Sequence, residues 1–515
     1  MPRDIISISP VGNIDRRNLV TLGKSEDVLS RENLAVIGIN KDERRVRKMA
    51  GSDRYNTTSV GSLPVTSIFR YYSGASLRKN FFYAGGYLYF IDESGTATQI
   101  LGFFSLNAYP TFLQFKVSGS NIAYFMEGVS TGMYSYDGNI GNSWTKETAV
   151  TLNFVDAVGF LDRMFAFEED SEDLYFSKNL EPTNFTDSTD AGVITIGAKR
   201  GSKLQRIMVG DDSNLYIFKT DSVWVLLGKT PSEFTVQELN PSMGLAARRS
   251  LQKVNQGFVG LMSDYEIHSM TGTQFKLLTY NVALSGDLTK NLIPIINMDK
   301  MDSICSTYHN FLYRMSFTEN GETVNDMEYC FNTINETEFF TRGNKVGAYL
   351  VYDRVPDKKE LVTGRSDEGR LMKQYHGLNW DNQATSPTMS IKTKTKFMGL
   401  GKPRNFRVRK AWLNSGVLGA RPVPIRTYVD ARNATSDSTQ EDMQVYGESK
   451  GNITLLKIAS QDAITSRQIP YHNNGKGQNV AFEISESIPD FDFEIVSFDA
   501  EIIGRSLKRN AKVGI

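Results

Sequence analysis

The feature that most limits what this chain can fold into is a loose repeat. A short apolar run rich in aromatic residues, a polar turn and a second apolar run recur along the chain, in NFFYAGGYLYFID (80–92), NIAYFMEGVSTGMYSYDG (121–138), RMFAFEEDSEDLYFS (163–177), NLYIFKTDSVWVLLG (214–228) and GFVGLMSDYEIHSMTG (257–272). Two rougher copies follow at 311–331 and 348–369. Each unit reads as a β-hairpin, because its apolar runs are strand-length and bounded by Gly, Asp and Asn rather than spaced at 3.6 residues. Measured at Tyr83, Asn121, Arg163, Asn214, Gly257, Phe311 and Ala348, the spacings are 38, 42, 51, 43, 54 and 37 residues. A four-stranded propeller blade takes roughly 40–50 residues. The expectation is an all-β chain: a β-propeller of six or seven blades over residues 61–380, with an N-terminal arm and a C-terminal β-sandwich-like domain.

Composition agrees with this. The 30 Phe, 23 Tyr and 42 Gly favour strands and tight turns. With 58 Lys and Arg against 58 Asp and Glu, the chain is not built mainly to coat nucleic acid. Cys305 and Cys330 are its two cysteines, too few for a disulfide framework, and are expected to be unpaired thiols in a reducing compartment. The N-terminus lacks the apolar core of a signal peptide, and no run approaches the roughly 18 apolar residues of a membrane helix. The sequence therefore predicts a protein made in a cytoplasm, without a membrane-spanning segment.

Two regions lie outside the repeat. Residues 1–60 are polar and irregular and carry the charge run KDERRVRK (41–48), in which Arg44, Arg45, Arg47 and Lys48 are candidate arm contacts to another subunit. Residues 386–515 follow the Asn/Gln/Ser/Pro stretch NWDNQATSP. From Ser386 to Tyr428 there are ten Lys and Arg and no acid, whereas Val429 to Asp499 holds twelve acids against five bases. Lys392, Lys394 and Lys396 alternate, which places them on one strand face. Together with Arg404, Arg407, Arg409 and Lys410 they are candidate subunit- or DNA-facing residues. Cross-strand pairing inside the domain is the simpler alternative.

Motifs for chemistry are weak. GVSTG (128–132) has the spacing of a hydrolase nucleophile elbow, but a strand-like MYSY follows where a helix is required, so a hairpin turn around Ser130 is the better reading. The four histidines, His268, His309, His376 and His472, have no metal-ligand spacing. EEDSED (168–173) lacks the Gly and terminal Glu of a calcium loop and reads as a solvated hairpin tip. GKS at 23–25 and GKT at 228–230 lack the glycine a phosphate loop needs. No catalytic residue, metal or cofactor is expected.

Four stretches carry a resemblance: VRKMAGSDRYN (46–56), LYFSKNLEPTNF (174–185), SKLQRIMVGDDSNLYIFKTDSVWVLLG (202–228) and GLAARRSLQKVNQGFVGLMSDYEIHSMTG (244–272). In these the chain resembles the propeller-containing tail proteins of short-tailed bacteriophages (podoviruses), called nozzle, tail tubular protein B or tail stabilisation proteins. The resemblance implies a structural virion protein in a commonly hexameric ring. That ring lies below the portal and adaptor proteins, surrounds the exit path of double-stranded DNA and offers its outside to tail fibres or spikes. It implies no catalytic residues. Two rivals stand beside it: a propeller enzyme acting on glycans, favoured by acids, Tyr or Arg converging at the propeller mouth, and a cytoplasmic scaffold.

Overall fold

The structure, a computed structural model, describes residues 3–8, 20–22, 28–37, 44–73, 77–102, 104–106, 108–129, 132–138, 143–198, 201–255, 257–279, 295–355, 358–376 and 380–381. Beyond these it describes strands between 389 and 504, mostly as backbone: 389–395, 397–399, 406–417, 421–430, 445–455, 464–469, 476–477, 479–487 and 493–504.

Seven antiparallel four-stranded blades follow one another. Blade 1 runs Val65–Ser73, Leu77–Ala84, Tyr87–Ile91 and Ala97–Leu101, and blade 2 Thr111–Val117, Ser120–Met126, Met133–Tyr136 and Thr145–Lys146. The first strands of blades 3 to 7 are Phe154–Phe160, Leu204–Val209, Gln252–Val254, Cys305–His309 and Val346–Val355. First strands of successive blades touch around the ring, with a 3-10 turn, Arg248–Ser250, filling the seam between blades 4 and 5. The repeat seen in the sequence is the hairpin of second and third strands in blades 1 to 6, and of first and second strands in blade 7.

Six of the seven seams between blades bury clusters of aromatic and aliphatic side chains, and full burial of one such group contributes about 1.5–3 kcal/mol. Between blades 1 and 2, Phe81, Tyr83, Phe125, Tyr136 and Trp144 form one cluster. Phe81 meets the Trp144 ring edge-on at 5.3 Å, and Tyr71 donates its hydroxyl to the Asn121 carbonyl at 2.7 Å. Between blades 6 and 7 the seam is polar. The buried Glu328 carboxylate accepts Arg314 Nε and Nη2 at 3.0 and 2.7 Å, Asn344 Nδ2 at 2.9 Å, and the hydroxyls of Thr341 and Tyr349. Burial pushes this carboxyl up, but Arg314 and the hydrogen bonds outweigh it and hold the group below its usual range.

The ring is closed by the N-terminal region. Ser52–Arg54 is the outermost strand of blade 7, in register with Leu371–Gln374. Arg54 clamps it by a bidentate bond to Asp381, with Nε–Oδ1 and Nη2–Oδ2 both 2.8 Å. The other N-terminal strands enter the second body of the molecule. Arg3–Ile8 and Arg45–Lys48 pair with Phe493–Gly504, Val20–Leu22 with Phe397–Gly399, and Val28–Glu32 with Ser390–Thr395. The C-terminal strands thus fall into two sheets, both laced with strands from the arm. One of the two continues blade 6, since Val28–Glu32 also pairs with its outer strand, Thr337–Arg342.

Within this body the basic and acidic segments become neighbouring strands. Lys392 is in register with Glu32 and Ser485, Lys394 with Ser30 and Glu483, Arg426 with Glu483, and Lys410 with Glu501. Arg407 is in register with Ile503 and Lys476; Arg409 lies at a register shift of the same strand. Lys396 and Arg404 lie outside the described residues. Of the arm candidates, Arg45, Arg47 and Lys48 belong to a strand inside this sheet, Lys48 is buried, and Arg44 donates to the Asn335 carbonyl at 3.2 Å.

Candidate functional site

In an antiparallel four-stranded blade, the link between second and third strands and the link to the next blade emerge on the same face. Residues at those links therefore converge around one end of the axis. Here they form a cup of about 430 Å³ to which all seven blades or their links contribute. Glu127 follows the second strand of blade 2, Glu169 sits at the hairpin tip of blade 3, and Tyr109, Arg248, Arg249 and Asp302 lie on links between blades. The acidic tip of 168–173 is therefore not simply solvated. Glu169 accepts both its bonds from Arg248 Nη2 at 2.7 Å, and Glu172 lies 3.3 Å from the buried Lys219 ammonium.

The three arginines of the cup differ in their partners. Arg206 holds the buried Asp156 at 2.7 Å, with the Ile207 amide on the other oxygen at 3.2 Å; burial still raises the Asp156 carboxyl above its ordinary range. Arg248 holds Glu169 and donates Nε to the Gln205 carbonyl at 3.1 Å. Among the described residues, Arg249 has no carboxylate partner. Its side chain leaves the seam of blades 4 and 5 and reaches the opposite side of the ring, where Nη2 donates to the carbonyls of Thr66 in blade 1 and Gly347 in blade 7, at 2.7 and 2.9 Å. Its guanidinium lies 4.9 Å from the Tyr109 ring centroid, and Nη1 is enclosed without a hydrogen-bond partner. Burial lowers its pKa from the usual arginine value. The propeller axis is crossed at this level by a side chain.

The backbone that presents Arg249 is fixed on several sides. Ser306 Oγ donates to the Arg249 carbonyl at 2.8 Å, and Tyr313 donates to that of Ser250 at 2.7 Å. Gly244, just upstream, packs where a Cβ would lie 2.4 Å from the Lys219 carbonyl oxygen and the Asp221 nitrogen, so only glycine fits. Its amide bonds Ser263 Oγ at 3.0 Å.

Other candidates carry less. Cys305 and Cys330 are free and buried, and burial pushes the Cys305 thiol up to about 12, so it is not a thiolate nucleophile. Gly128 and Gly132 flank a hairpin turn with positive φ, while Ser130 lies outside the described residues, as does His472. Among the described residues no group of three or more His, Cys, Asp and Glu stands close enough to hold a metal ion, and no helix is long and apolar enough to cross a membrane. Sequence reasoning missed the cup, because Arg249 and its two carbonyl partners are 183 and 98 residues apart.

No protein-family model and no curated protein matches this sequence. Solved structures do resemble it in fold. A streptogramin B lyase is similar at TM-score 0.40 and 11% identity, covering 62% of this chain and 96% of the lyase. Virginiamycin B lyase from Staphylococcus aureus with quinupristin is similar at 0.40 and 10%, over 66% and 98% of the two chains. YCF48 from Cyanidioschyzon merolae is similar at 0.39 and 11%, over 64% and 99%.

Proposed function

We propose that this chain is a structural subunit of a short-tailed phage tail, assembled in the host cytoplasm into a ring, six-fold in the resemblance, below the portal and adaptor proteins. The observation that carries the reading is the weld between propeller and second body: one sheet runs from blade 6 through arm and C-terminal strands, and an arm strand closes blade 7. Such a body is rigid and the outermost strands of its blades are short, as a load-transmitting wall requires. Three of the four stretches behind the resemblance lie at its joints, 46–56 at the closing strand and 202–228 with 244–272 at the seam of blades 4 and 5. With the axis of each propeller crossed by Arg249, DNA in such a ring would pass between subunits rather than through a propeller. The outer faces of the ring would carry fibres or spikes.

The test is antibody labelling of virus particles from the source culture, viewed by electron microscopy with an antibody proven on the native chain. Label confined to the tail at one vertex is expected. Its absence from intact and disrupted particles would remove the virion reading.

A second reading, a glycan hydrolase, draws on the acids, arginines and tyrosine that converge on the cup. Against it, Glu169 and Asp156 are already neutralised by Arg248 and Arg206. Release of reducing sugar from polysaccharide by the purified chain, lost in Glu127→Gln, is the result that would favour it.

A further inference from the structure

A positive charge held inside a protein without a counter-charge is costly, and such charges are normally paired. Arg249 is partly exposed to the cup, donates only to uncharged carbonyls, and has no bonded carboxylate among the described residues, while its two arginine neighbours each hold one. The Glu127 carboxylate accepts the Ser105 amide, in the wall of the cup rather than at Arg249. Asp302 is exposed at the rim. The cup thus offers an unbalanced guanidinium, flanked by carboxylate acceptors, in a volume within the range of small-molecule pockets.

We propose that the cup binds a small hydroxylated oxyanion, of the sugar-acid or sugar-phosphate class, with its anionic group against Arg249 and its hydroxyls donating to Glu127 and Asp302. A plain inorganic anion would satisfy the guanidinium but leave the acids facing like charge, so the hydroxyls are part of the fit. The site requires neither a virion nor a ring, so it stands or falls independently of the tail reading.

The test is isothermal titration of the full chain with D-glucuronate, glucose 6-phosphate, glucose and sodium chloride at matched ionic strength. Binding of either charged sugar, with no heat from glucose or chloride, is expected; which of the two binds tells carboxylate from phosphate. Arg249→Gln should weaken it by at least roughly tenfold, as loss of a charged hydrogen bond does. Because Arg249 also braces the ring, Val129→Trp is the second variant: Val129 is 58% exposed on the cup wall, and the larger ring obstructs the cup while leaving Arg249 itself in place. Its fold is checked by circular dichroism, and it too should abolish binding. No heat with either charged sugar, equal binding of glucose, or undiminished binding in folded Val129→Trp would each overturn the proposal.

Discussion

At the scale of single residues, Glu266 shows how one buried group writes a pH dependence. It lies among blade 5 strands, 5% exposed, accepting the Thr279 hydroxyl, near Asp264, which itself meets His268 Nε2 at 2.7 Å. Burial pushes its carboxyl up from 4.5 to about 7, and the Thr279 bond only partly opposes this. Between those values the folded state holds a proton that the unfolded state has released. The group's contribution is therefore full below about pH 4.5, declines as pH rises, and is gone above about 7. Glu266→Gln keeps an acceptor for Thr279 and removes the charge. Urea denaturation should find it more stable than the parent at pH 8, by up to about 3 kcal/mol, and no more stable at pH 4. A constant difference across that range would mean the carboxyl does not titrate with folding. None of this was legible in the sequence, because Glu266 is one acid among 58 Asp and Glu, and burial beside Thr279 is decided by the fold.

At the scale of elements, the middle hairpins were legible and their flanks were not, for a physical reason. Strands such as Phe81–Tyr83 and Leu215–Lys219 are buried on both faces between neighbouring blades, so they read as apolar runs. First strands line a polar cup, as in Leu204–Val209 and Gln252–Val254, and outer strands such as Thr145–Lys146 face water, so neither carries the pattern. The closing strand, Ser-Asp-Arg at 52–54, has no strand signature at all; it is held by its partner strand and by Asp381. Among the described residues, Arg54→Ala leaves the largely buried Asp381 carboxylate with Arg370, 3.9 Å away, as its sole ion-pair partner. It should destabilise by about 1.5–3 kcal/mol, the range for a hydrogen bond to a charged group, and Arg54→Ala with Asp381→Ala should cost less than the sum of the two single changes. Additive costs in the denaturation cycle would show that the clamp does not hold the ring shut.

At the scale of the whole molecule, the two chain ends are not appendages. The charge segregation of residues 386–499 reads in the sequence as either an intersubunit device or internal pairing, and the register puts Lys392 beside Glu32 and Lys394 beside Glu483 within one chain. Basic and acidic strands are thus far apart in sequence but adjacent in the sheet, the favourable cross-strand arrangement. A chain ending at residue 381 would retain every blade strand, including Ser52–Arg54 and the Asp381 clamp, yet lose the partners of Arg3–Ile8 and Val20–Leu22 and one of the two partners of Val28–Glu32. Blade 6 would then end in Thr337–Arg342 with at most a loosely held arm strand beside it, and such an open edge recruits strands from other molecules. Circular dichroism of that truncated chain should retain the β signature, while light scattering should show association that grows with concentration. A truncated chain that stays monomeric would mean the arm strand shields blade 6 without help from the C-terminal strands. The weld proposed to give the molecule its rigidity would then lie in the arm alone.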